Sequence, residues 1–135
     1  MENRTTEDKI TKLKPNEIFV FGSNTAGRHG RGAAKTAMGW GAVYGQGEGL
    51  QGHTYGIPTV NASVTNKLPL DKIQGYVDNF IAFAKSQSHM TFLVTEIGCG
   101  LAGWEVKDIA PLFKDAVEVE NIHLPKKFWR ILSHE

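Results

Sequence analysis

Ile18-Phe19-Val20-Phe21-Gly22-Ser23-Asn24-Thr25-Ala26-Gly27-Arg28-His29-Gly30-Arg31-Gly32-Ala33-Ala34 is the stretch on which the reading of this chain turns. Four β-prone apolar residues in a row read as a strand buried on both faces, and Gly22-Ser23-Asn24 ends it abruptly. Gly32 to Trp40 then supplies helix formers with small side chains, among them Ala33, Ala34 and Ala37, which suit close packing on a sheet. The unit is strand, glycine loop, helix. Lys35 follows two alanines rather than a glycine, so the loop lacks the Gly-Lys-Ser/Thr ending of a Mg-ATP site. The order of Gly22, Gly27, Gly30 and Gly32 does not fit the Rossmann fingerprint either.

Eleven of the fifteen glycines fall between Gly22 and Gly56, and Gly98-Cys99-Gly100-Leu101-Ala102-Gly103 forms a second cluster after the apolar run Thr91 to Ile97. Glycine lets main-chain amides approach a ligand closely, so two such loops at strand ends suggest one crevice built for an anion. Gly39 to Gly56 reads as a long packed loop, and Tyr55 to Val60 as a strand with Pro58 near its end or at an edge. Leu70 to Ser86 has the clearest helical periodicity, with Ile73, Val77, Phe80, Ile81 and Ala84 inward. Val106 to Val117 reads as an amphipathic helix with Ile109, Leu112, Phe113 and Ala116 inward, Asn121 to Leu124 as a short strand, and Phe128 to Leu132 as a docked terminal helix. The first fifteen residues are expected to form a loose arm, or one short helix around Asp8 to Leu13. The alternation predicts one domain over residues 1–135: a three-layer α/β/α sandwich on a mixed, mostly parallel sheet.

The net charge of +1 leaves no footprint for nucleic-acid binding, and Arg28 to Arg31 and Lys126-Lys127 are short enough to be solvated surface. Cys99 is the lone cysteine, which excludes an intrachain disulfide and fits a reducing cytoplasm. No run nears the roughly 20 apolar residues of a membrane span, and the amino terminus does not read as a cleavable signal. His53, His89, His123 and His134 lack metal-ligand spacing, so no metal and no cofactor are expected.

Phe21 to Asn24, Gly27 to Ala34, Tyr44 to Gly52, and Glu96-Ile97-Gly98-Cys99-Gly100-Leu101-Ala102-Gly103-Trp104 together resemble the macrodomain, the ADP-ribose-binding fold, and more narrowly the short macrodomain-like proteins of bacteria and phages. The similarity runs from about Ile18 to Leu124. It implies a ligand, ADP-ribose or an ADP-ribosylated macromolecule, with nucleic acid a partner only as a modified substrate. Asn24 would touch the distal ribose, Gly30 and Gly32 would form the helix entrance, and the amides of Gly98 to Gly103 would wrap the diphosphate. Gly22, Ser23, Arg31 and Glu96 complete the expected binding set. Phe21 stands where the family's first loop has an asparagine, and its Gly-Asp-Ile element, whose aspartate reads adenine, has no counterpart upstream of Ile18. Trp104, or a residue of the long glycine loop, could stack on adenine instead; Trp104 reads equally as core packing.

Removal of the ADP-ribosyl group would need a positioned water and a polarising group; Asn24, His29 and Glu48 are the catalytic candidates, with Glu96 nearby. His29 either reaches a phosphate or water, or is an exposed loop histidine. Glu48, between two glycines, has no packing reason to be there. Cys99 reads as an inert residue beneath the loop rather than a nucleophile. The expected function is therefore binding of ADP-ribose or a close derivative, with hydrolysis as an open extension. A non-catalytic reader and a nucleic-acid or protein interaction factor are the alternatives.

Overall fold

A computed structural model of the chain describes residues 2–63, 65–100 and 102–133. Its centre is β2 (Glu17–Asn24), which pairs in parallel with β5 (Thr91–Val94) on one side and β4 (Thr54–Val60) on the other. With β1 (Thr5–Thr6), β3 (Gly49–Gln51) and β6 (Ile122–Pro125) these make a six-stranded sheet in the order β1-β6-β5-β2-β4-β3. Only β3 runs antiparallel to its neighbour.

Side chains of β2 alternate between two apolar clusters, as the pleat requires. Ile18 and Val20 join the larger one, with α2 (Leu70–Ser86), the 3-10 helix Ala110–Ala116 and α4 (Lys126–Leu132). Phe19 and Phe21 join the smaller, with Ala34 and Ala37 of α1 (Gly32–Met38) and Ala42. Helices therefore cover both faces of a mixed α/β sheet, an arrangement compatible with a sandwich. In α2 the five residues expected inward are all buried.

Four local expectations change. The charged amino-terminal stretch contains no helix at residues 8–13; instead residues Glu2–Arg4 form a 3-10 turn leading into β1 on β6. Arg4 anchors it: its guanidinium donates to the carbonyls of Ala116, Val117, Val119 and Ile122 at 2.8–3.2 Å, and Trp129 Nε1 donates to the Arg4 carbonyl at 2.9 Å. Such docking uses main-chain acceptors and leaves no periodic trace in sequence. The long glycine loop contains β3, which turns back onto β4 through Gly52, where φ is +62°.

The helix read over 106–117 divides into α3 (Val106–Ile109) and the 3-10 segment, because Pro111 has no N–H to continue the ladder. Ile109, Phe113 and Ala116 stay buried across the break, while Leu112 is half-buried. Finally, β5 stops at Val94, and the chain turns, with Ile97 N donating to Thr95 O at 2.8 Å. Pro58 sits beyond the part of β4 that β3 covers, so its missing N–H removes no bond from that hairpin.

Candidate functional site

A cavity of about 650 Å³ opens at the carboxyl ends of β5, β2 and β4, three neighbouring strands of the sheet. Gly22, Ser23 and Asn24 reach it from the end of β2. Gly30, Arg31 and Gly32 reach it from the entrance to α1, and Glu96, Gly98, Gly100 and Ala102 from the loop after β5. Thr59, Val60 and Ser63 close the side beyond β4. In the first turn of α1 the N–H groups have no intrahelical acceptor, and Lys35 N is the first to find one, on Arg31 O at 3.2 Å. Leu101 lies outside the described residues.

The loops meet backbone to backbone, which explains the glycines. Gly27, at φ +71°, lies so close to Gly45 and Gln46 that a side chain there would run into their main chain. Gly45 N donates to Gly27 O at 2.9 Å, and the Ser23 hydroxyl donates to Gly47 O. Gly22 faces the main chain of Ile97 and Gly98, where an added Cβ would sit 3.4–3.5 Å away, so the two glycine clusters are in register across the cavity.

Gln51 is the hub of this assembly and is 3% exposed. Its Nε2 donates to Gln46 O at 3.1 Å and Gly49 O at 3.3 Å, which fixes the orientation of the amide. Its Oε1 then accepts from Val43 N at 2.7 Å and from His29 Nε2 at 3.1 Å. His29 is thus neither exposed nor on the cavity wall. It is 3% exposed with its ring edge-on to Phe21, and its Nδ1 has no hydrogen-bond partner among the described residues.

The other candidates divide likewise. Asn24 lines the cavity, yet its side chain spans the turn beneath it: Oδ1 accepts from Arg28 N and Nδ2 donates to Arg28 O, both at 2.9 Å. Glu48 turns toward α2, where Asn79 Nδ2 donates to its Oε2 at 3.1 Å. Trp104 packs against the larger core, donates Nε1–H to Leu68 O at 3.1 Å, and carries Lys67 Nζ 3.8 Å from its ring centroid. Cys99 is half-buried with Sγ 3.4 Å from Ile97 O; burial pushes its thiol up to about 11, the Glu96 and Asp108 carboxylates adding and Lys127 opposing. Cys99, Gly103 and Trp104 are not on the cavity wall. Among the described residues no three His, Cys, Asp or Glu side chains gather as a metal site would require.

Compared with protein-family models, curated proteins and solved structures, the chain has no match.

Two features of the site lie outside the expected binding set. Arg28 and Tyr44 also stand on the cavity wall, Tyr44 arriving from the long loop after α1. A second cavity of about 410 Å³ adjoins the first and shares Ala33, Thr95 and Glu96 with it. Its wall includes Glu7, Asp8, Lys9 and Pro125, so residues upstream of Ile18 border the adjoining cavity. Nothing in the spacing of Glu7 and Asp8 marks them; docking of β1 on β6 carries them there. Glu96, at the junction, lies 4.0 Å from Lys127 Nζ. No helix among the described residues is long and apolar enough to cross a membrane.

Proposed function

We propose that this chain binds ADP-ribose or a close derivative, holding the diphosphate with main-chain N–H groups and acting as a reader module of macrodomain type. The observation that carries the reading is convergence: the end of β2, the entrance to α1 and the loop after β5, all glycine-bearing, border one cavity of about 650 Å³. Main-chain amides grip an anion without a large positive surface, which suits a net charge of +1. Arg28 and Arg31 on the wall add the charge that two phosphates need. The adjoining cavity, with Glu7, Asp8 and Glu96, offers acceptors for the exocyclic amine of a base.

A reader is favoured over a hydrolase because two of the three catalytic candidates, His29 and Glu48, lie off the cavity wall and the third, Asn24, is bound to its own turn. The test is calorimetric titration with ADP-ribose, AMP, ATP and NAD, followed by thermal melting, since a ligand of the folded form raises the melting temperature. ADP-ribose should bind most tightly. No binding of any of the four would reject the reading, and release of free ADP-ribose from a modified protein would replace the reader with a hydrolase.

A further inference from the structure

In the loop after β5 the main-chain N–H groups fall into two sets. Those of Ile97, Cys99, Gly103 and Trp104 are used inside the loop, donating to Thr95 O, Glu96 O, Gly100 O and Gly98 O at 2.8–3.2 Å. Those of Gly98, Gly100 and Ala102, three residues of the cavity wall, have no acceptor among the described residues. An anion needs donors of the second kind, held in place before it arrives.

Gly98 and Gly103, at φ +75° and +86°, bound this loop, and glycine by itself gives the chain freedom rather than a fixed path. Trp104 supplies the restraint. Its main-chain N–H reaches Gly98 O across the loop at 2.8 Å, and its indole Nε1–H reaches Leu68 O, in the segment after β4, at 3.1 Å. Lys67 Nζ lies 3.8 Å from the ring centroid, a second contact with the same segment. That segment is tied in turn to the cavity wall: Leu68 N donates to Thr59 O at 2.8 Å, and Lys67 forms an antiparallel bridge with Val60. Thr59 and Val60 border the cavity, while Trp104 itself does not. One side chain behind the wall therefore joins the loop after β5 to the segment after β4.

We infer that Trp104 is a positioning residue: without touching the ligand, it latches the loop after β5 to the segment after β4 and so keeps the N–H groups of Gly98, Gly100 and Ala102 available to the diphosphate. The inference rests on the proposed function. The experiment measures Kd for ADP-ribose and for inorganic pyrophosphate, which has no base and no sugar, on the wild type, Trp104→Phe and Trp104→Ala, each well below its melting temperature. Trp104→Phe keeps a ring in the core and removes the indole donor; it should weaken both ligands by the same factor, roughly three- to tenfold. Trp104→Ala, which removes the contact with Lys67 as well, should weaken both further; if it does not fold, Trp104→Phe decides alone. Weakening of ADP-ribose with pyrophosphate unchanged would place the ring on the base or sugar and overturn the inference. A lower melting temperature with both affinities at the wild-type level would leave Trp104 as core packing and also overturn it. So would a wild type that binds ADP-ribose but not pyrophosphate, because the loop amides would then not be the grip. A wild type that binds neither ligand rejects the proposed function, whereas one that binds both, with the variants unchanged, rejects only the role of Trp104.

Discussion

Ile18 and Val20 on one face of β2 meet a deep layer of rings and branched side chains, whereas Phe19 and Phe21 on the other meet three alanines, Trp40 and the seven-residue α1. On the first face Phe80 is fully buried among Tyr55, Phe92 and Phe113, with ring centroids 5.1–6.4 Å apart. On the second the packed side chains are fewer and smaller, and past the end of β2 the loops meet by main chain, with Gly27 and Gly47 seated where no side chain fits. The thick face concentrates apolar burial, and with it most of the stability. The thin face gives that up so that amides can line a cavity, and its shape depends on glycine and on one buried glutamine.

The sharpest way to break this contrast is Phe80→Ala. It should cost about 3–5 kcal/mol, a large part of a typical domain's stability, read from the urea midpoint. A loss below about 1 kcal/mol would mean the thick face is not where stability resides. Gly27→Ala comes next. A non-glycine residue at positive φ, pressed on the Gln46 main chain, should cost about 1–3 kcal/mol and displace the 22–31 loop, so ADP-ribose affinity falls further than stability alone explains. Unchanged affinity in this variant would detach the loop packing from the site.

Alkaline pH probes the thick face through two groups packed with its cluster. The Cys99 thiol is raised to about 11, and burial, with the Glu48 carboxylate, raises the Tyr55 hydroxyl to about 12. Each folded value lies above its ordinary one, so the folded state holds the extra protons. Stability should be level below about pH 9 and fall between about 9 and 12. A melting temperature that rises over this interval contradicts the buried placement of both groups. The smallest effect is expected at Gly75 in α2, where an added Cβ meets nothing within 4 Å. Gly75→Ala should stabilise by about 0.5–1 kcal/mol, against the loss at Gly27, showing by thermal melting that the glycine in α2 is not required as the loop glycine is.

Much of the thick face is legible from spacing alone. The recurrence of Ile73, Val77, Phe80, Ile81 and Ala84 marks α2 because burial of one helix face imposes its own period. The glycine loops are legible for a related reason: composition disfavours a regular helix there, although the short strand β3 forms within the longer one. What spacing does not carry is the partner of each group. His29, among glycines, looks free to act, but Gln51, twenty-two residues on, folds back to take its Nε2. Glu48 looks unexplained until α2 brings Asn79 to it. Arg4 and Asp8 lie in a segment whose only local signal is polarity, and their places come from docking on distant main chain.

By itself the sequence determined the alternation of strand and helix, the strand buried on both faces at Ile18 to Phe21, and two glycine-rich loops able to approach an anion. These come from local terms: side-chain period, backbone freedom and the run of apolar residues. Only the tertiary structure decided that both loops border one cavity, that an acidic neighbour adjoins it, and that Asn24, His29 and Glu48 are already engaged. Those outcomes rest on contacts between residues far apart in the chain, whose energies depend on the burial and hydrogen bonding that folding alone creates.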